Sequence, residues 1–228
     1  MPLFLLDRYY IILIIPALLF SFYAQYKVKS TFNKYQKQGT KTGKTGADIA
    51  RELLDDNGLS DVRVENFPGK LSDHYDPRTR VVRLSDGVYR SSSVSAAGVA
   101  AHETGHAIQH KEGYLPLVLR STLVPVAGIG SSFGPWMAIF GFFFSNNFLL
   151  DAGIILFSIA VLFYIVTLPV EFNASSRAIY SLERDRILDH EEIIPVKKVL
   201  SAAAMTYVAS AAVALASLLR LLLLRGRR

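Results

Sequence analysis

The 228-residue chain contains no cysteine. That excludes a disulfide framework, a thiolate metal site and a lipid carried on a thiol. Any metal it binds must be held by histidine and carboxylate. Charge is also scarce: 19% of residues are Asp, Glu, Lys or Arg against 51% hydrophobic, and the mean hydropathy is +0.29. This is too apolar for an ordinary soluble domain and predicts membrane spans plus one compact soluble part. Acids are the scarcer sign, 19 against 25 Lys and Arg, for a net charge of +6. In a membrane chain such an excess reports topology, through the positive-inside bias. No nucleic-acid motif accompanies it, so no nucleic-acid partner is expected. Charged residues are missing from the middle of the long apolar runs, where a channel or transporter would need them. Internal repeats and low-complexity segments are lacking too.

What is present centres on His102-Glu103-Thr104-Gly105-His106, an H-E-x-x-H pattern. On a helix, positions i and i+4 stand one turn apart on one face, so His102 and His106 can grip one metal ion. Glu103 is offset by one residue, beside the pair, where a general base belongs. This is the layout of a zinc peptidase: two imidazole ligands, one carboxylate base and a position left open for water. The flanks agree. Ser92, Ser93 and Ser95 offer N-caps, Ala96 to Gln109 favours a helix, and Gly113 sits where a helix would stop. The bland alternative is two histidines on a solvated helix face. His110 lies one further turn along, but turns separate by about 5.4 Å, so one ion is not easily reached by all three. His110 is therefore expected to be a supporting or merely polar residue.

Taken in order, residues 9–26 are uncharged and long enough to cross a bilayer, since roughly 18 to 20 helical residues suffice. Tyr9, Tyr10, Tyr23 and Tyr26 mark the ends, as an interfacial belt would. The run is long, broken by Pro16 and followed by bulky basic residues, so it predicts an uncleaved first span rather than a signal peptide. Lys27, Lys29, Lys34, Lys37, Lys41 and Lys44 follow with no acid before Asp48, which places this stretch on the cytoplasmic side. Gly39 to Gly46 reads as a short flexible linker. Ala47 to Asn57 is an amphipathic helix with Thr45 as its N-cap. Val62, Val64 and Phe67 alternate as in a strand, Asp73 to Arg78 has turn chemistry, and Thr79 to Leu84 is a second strand. Such strands either cover the active-site helix or offer an edge to an extended substrate.

Leu123 to Phe144 is a second span, closely packed or broken at its glycines. Ser145-Asn146-Asn147 turns the chain, and Phe148 to Val170 is a third. Two spans joined so tightly form a hairpin, and Glu171 must emerge on the side of the histidine pair. A carboxylate on a second helix is the usual partner of H-E-x-x-H. Glu171 leads, with Glu183, Asp185, Asp189, His190, Glu191 and Glu192 as alternatives; an interfacial acid ending a span is the bland reading of its position. Glu171 to Leu188 continues as a charged helix. Val199 to Leu224 is a fourth membrane segment, ending in Arg220, Arg225, Arg227 and Arg228. Four spans put that tail outside, against the positive-inside bias, so a shallow or re-entrant fourth segment is the alternative. Even so, 19 of the 25 Lys and Arg lie in residues 27–114 and 171–198.

Three separated stretches carry a resemblance: Ala101 to His110, Val170 to Ala178, and Ala203 to Ala209. Through them, and through Ser72 to Thr79, the chain resembles the YugP-like membrane neutral zinc metallopeptidases over nearly its whole length. More distantly it is similar to membrane heat-shock proteases and prenyl-protein endopeptidases, whose minigluzincin core pairs H-E-x-x-H with a later Glu. The resemblance implies His102, His106 and Glu171 as zinc ligands and Glu103 as base. One departure stands out. Those distant relatives place an Asp four residues after the Glu ligand to orient a histidine, and here that position is Ser175. The orienting group must then come from elsewhere, be weaker, or be a hydroxyl.

The expected molecule is mainly α, a polytopic membrane protein with about four transmembrane helices and a small α+β zincin-like soluble part. Residues 1–26 form the first span, 27–114 the cytoplasmic part with the active-site helix, 115–170 the hairpin, 171–198 the helix with the third ligand, and 199–228 the fourth segment and tail. It is expected in a bacterial cell membrane, active site on the cytoplasmic side, with one Zn2+ per chain and protein or peptide substrates. Hydrolysis would use Glu103 as base, with Tyr207, Arg177, His190 or His74 stabilising the oxyanion, Tyr207 and Arg177 foremost. The competing class is a catalytically silent zinc-binding scaffold or chaperone-like protein; Glu103 argues against it, since a structural site needs ligands and no base.

Overall fold

A computed structural model describes residues 7–226. Arg227, Arg228 and the first part of the expected first segment lie outside the described residues. A π-helical turn, Tyr10–Ile14, leads into α1 (Ile15–Tyr35). Then come α2 (Gly46–Asp56), β1 (Arg63–Phe67), β2 (His74–Asp76), β3 (Val81–Ser85), α3 (Asp86–Tyr89) and α4 (Val94–Lys111). Three long helices complete the chain: α5 (Leu115–Phe143), α6 (Asn147–Arg184) and α7 (His190–Arg225). The fold is thus mainly α with a small α+β part. Four helical stretches among the described residues are long and apolar enough to cross a bilayer: Tyr10–Tyr35, Leu115–Phe143, Asn147–Arg184 and His190–Arg225.

The chain divides into two compact units. The first comprises the described residues up to Gln25, Val118–Pro169, and the described residues from Met205 onward. Its core is built from Ala138, Leu150, Ile154, Phe157, Ala160, Val161, Ala214 and Leu221. The glycines of α5 pack rather than break: the helix runs unbroken past Pro125 and Pro135. A Cβ at Gly134 would sit 2.8 Å from the backbone nitrogen of Phe157, so only glycine lets the two hairpin helices approach this closely. Trp136, Phe140, Phe144 and Phe148 are exposed, as suits a surface facing lipid. α7 is likewise one unbroken helix, long and apolar enough to cross a bilayer. Two of its tail arginines are paired within this unit, Arg220 with Asp7 at 2.7 Å and Arg225 with Asp151 at 2.6 Å.

The second unit comprises Tyr26–Leu117 and Val170–Ala204. Thr45 caps α2 through a capping box with Asp48, and Ile49, Ala50, Leu53 and Leu54 form its buried face. The sheet order is β1-β3-β2, with β1 parallel and β2 antiparallel to β3. Three readings of the sequence need correction. His74–Asp76 is a strand, not part of a turn, and too short to show alternation. The turn comes just after, where Asp76 accepts from Arg78 N and Thr79 Oγ1, and Arg80 adopts φ +54°. Residues 39–46 are no flexible linker, because Thr40 N donates to Ser92 O, Gly46 N to Ser91 O, and Val94 N to Gln38 O. The charged extension of α6 stops at Arg184 rather than Leu188. Arg186 there takes φ +54°, and Ile187 N donates back to Leu182 O.

Two apolar clusters flank α4. One joins Phe32, Leu54, Leu59, Val62, Val82, Leu84, Val88 and Ala100. The other joins Ile49, Leu53, Ala97, Ala101, Ala178, Leu182, Ile193 and Val196. α4 is therefore buried between the sheet and the second-unit portions of α6 and α7, and its small residues let it fit there.

Candidate metal centre

Ser93 caps α4, accepting from Ala96 N. The helix then presents His102 and His106 one turn apart, with ring centroids 4.8 Å apart and planes at 82°. Both imidazole side chains are about nine-tenths buried. α6 brings Glu171 against them. Glu171 is 2% exposed, and its Oε2 lies 3.2 Å from His102 Nε2 and 3.6 Å from His106 Nε2. One ligand atom from each of the three side chains lies within 4.8 Å of the other two. The approach depends on Gly105, where a Cβ would meet the carbonyl oxygen of Ala174 at 2.7 Å.

Two imidazoles and one carboxylate, buried and converging, are a donor set that suits zinc. The site's own electrostatics agree. Burial alone would lower the His106 pKa, but hydrogen bonding and charge from Glu171 outweigh it and raise it. Glu103, also buried, is pushed up by desolvation, against the opposing pull of His102 and His106. Desolvation of this kind favours the protonated form of the carboxyl and so its capacity to take up a proton.

The Ser175 position behaves as a hydroxyl partner, its Oγ 3.2 Å from His102 Nδ1. The alternative ligands are engaged elsewhere. Glu183 faces Lys197, Asp185 faces Arg184, and Asp189 and Glu191 face Lys41. Glu192 accepts from Lys41 N and Asp189 N, and His190 is exposed. His110 bonds Tyr75 through Nδ1 at 2.8 Å, and His74 Nδ1 meets Ser72 O. Arg177 is held by Glu112 at 2.7 Å and by Asn173 Oδ1 at 2.7 Å. Tyr207 is half-buried on α7 in the first unit.

Reading the motif alone missed Gln109, Asn173 and Asp73. Gln109 is three residues past His106 on the same helix, so helical spacing could have revealed it. Asp73 carried no such signal. It is half-buried, its pKa is raised by desolvation, and it accepts from Ser85 N and Oγ at 2.7 and 3.0 Å.

Residues 10–226 match the model of a family described as "Putative neutral zinc metallopeptidase". The chain is 52% identical over 220 residues to the "Putative membrane protease YugP" of Bacillus subtilis (strain 168), covering 96% of this chain and 98% of that one. No solved structure matches.

Proposed function

The chain belongs to this neutral zinc metallopeptidase family, and from that premise we propose that it is a membrane-embedded endopeptidase acting on membrane or membrane-proximal proteins. The observation that carries the reading is the convergence of His102, His106 and Glu171, with the buried Glu103 beside them on the same helix. These three side chains would hold one zinc ion per chain. When bound, zinc supplies Lewis-acid activation of water and of the scissile carbonyl. Glu103 takes up a proton as the peptide carbonyl is attacked and returns it to the leaving amine. Its desolvated setting supports that role, because a raised pKa lets one group serve as both base and acid. Two donors are proposed for the developing oxyanion, Arg177 and Tyr207. Arg177 is already oriented by Glu112 and Asn173, and a phenol or guanidinium provides the hydrogen bond such a charge requires.

An extended substrate segment is proposed to pair with β2. This strand forms one edge of the sheet, and its Tyr75 hydroxyl is tied to His110 on α4. The working side is proposed to be cytoplasmic, on the strength of the 19 basic residues in segments 27–114 and 171–198. The partners are then a protein or peptide substrate and the bilayer, with no nucleic acid. A silent scaffold would have no use for a buried carboxylate beside its ligands.

Purified protein in detergent, given an unfolded casein-like substrate, should cleave it and should stop when a chelator removes the metal. Glu171→Ala should lose zinc and Glu183→Ala should keep it. Retention of zinc by Glu171→Ala would overturn the ligand set. Cleavage that survives metal removal would overturn the reaction.

A further inference from the structure

Gln109 is fully buried and polar, yet it is neither a ligand nor a base. Its amide nitrogen lies 2.9 Å from Val170 O and 2.9 Å from Asn173 Oδ1. A backbone carbonyl can only accept, so the nitrogen end of the carboxamide must face it. Asn173 is oriented on the same logic: its Oδ1 also takes the Nε–H of Arg177 at 2.7 Å, and a guanidinium only donates. With its nitrogen committed twice, Gln109 turns Oε1 toward His106 Nδ1 at 3.0 Å. A carboxamide oxygen has no hydrogen to give. The hydrogen in that contact must therefore belong to Nδ1 of His106.

We infer that Gln109 is a positioning residue that fixes the tautomer of His106. It leaves the lone pair on Nε2, the nitrogen that faces Glu171. The inference rests on the proposed zinc site. The direction of each bond is imposed by groups with one possible role, the Val170 carbonyl and the Arg177 guanidinium, so it does not depend on assigning any amide by choice. The same carboxamide binds α4 to α6 at Val170, the residue before Glu171. One side chain thus orients a ligand on one helix and anchors the ligand-bearing turn of another. Ser175 cannot do the same for His102, because a hydroxyl can donate or accept and fixes no tautomer.

The test compares zinc affinity, by competition with a chromogenic chelator, for wild type, Gln109→Met and Gln109→Glu. Met fills similar space with neither donor nor acceptor. It should weaken zinc binding about 10- to 100-fold, the usual effect of removing a group that orients a ligand. Glu can still accept from Nδ1–H but cannot donate to Val170, so it should recover most of the affinity while keeping a lowered thermal midpoint. Wild-type affinity in Gln109→Met, or equal loss in both variants, overturns the inference. If the Glu variant does not fold, the metal-free wild type decides. With 15N-labelled histidine, above the imidazole titration, neutral His106 should carry its hydrogen on Nδ1, and a hydrogen on Nε2 overturns the inference. Failure of the zinc site itself would show separately, as wild type that binds no zinc.

Discussion

Replacing Gly105 by alanine perturbs the site without touching any ligand. The new Cβ would stand 2.7 Å from the Ala174 carbonyl oxygen and 3.3 Å from its carbonyl carbon and Cα. A comfortable carbon–oxygen contact is about 3.3 Å, so α4 and α6 must part by about 0.6 Å. Ligand distances in a metal site are held to within about 0.2 Å. Gly105 adjoins His106, and Ala174 lies less than one turn after Glu171, so the separation falls on the ligands themselves. Overpacking costs about 1–3 kcal/mol, and the better helix propensity of alanine returns about 1 kcal/mol. The metal-free protein should lose little stability. Zinc affinity should fall about 10- to 100-fold, as for other disturbed ligand orientations. Chelator competition, with the thermal midpoint of metal-free protein measured in the same detergent, separates the two effects. Unchanged zinc affinity in Gly105→Ala would refute the account of why α4 and α6 meet here.

Three further predictions follow from individual side chains. Ser175→Ala removes one neutral hydrogen bond from His102, worth about 1 kcal/mol, and should weaken zinc by roughly fivefold in the same competition assay; Ser175→Asp should bind at least as tightly as wild type. Glu103 must be ionised to act as base, and burial raises its pKa. Cleavage should therefore rise with pH through a midpoint above the ordinary glutamate range, and a midpoint at or below that range would contradict the assignment. Asp76 is held down to about 2 by the Thr79 hydroxyl first, then by Arg78 N and Arg83. A depressed carboxylate contributes stability that is present above its unfolded pKa and lost as pH falls through its folded value. Asp76→Asn should accordingly lower the thermal midpoint near neutral pH, with the difference shrinking as pH falls from about 4 toward about 2.

The long helices were legible because apolar runs and their caps are local signals. Thr45 and Ser93 sit at the caps where the sequence placed N-caps. The His102–His106 pair was legible because one helical turn is encoded in spacing alone. β2 was not, since three residues are too few to alternate and its neighbours have turn chemistry. The order of residues 39–46 was hidden for another reason. Its hydrogen bonds go to Ser91, Ser92 and Val94, far along the chain, while its own composition resembles a linker. Gln109 shows the same limit at the site. Its distance from His106 can be read in the sequence, but the carbonyl that orients it belongs to Val170 on another helix.

The most direct test of the central claim sets wild type beside Glu103→Gln, measuring zinc per chain and cleavage of an unfolded substrate in the same preparations. The geometry predicts about one zinc in each, as a site with two histidines and one glutamate holds, and cleavage by wild type alone. Equal cleavage by Glu103→Gln, or a wild type that holds no zinc, would contradict it.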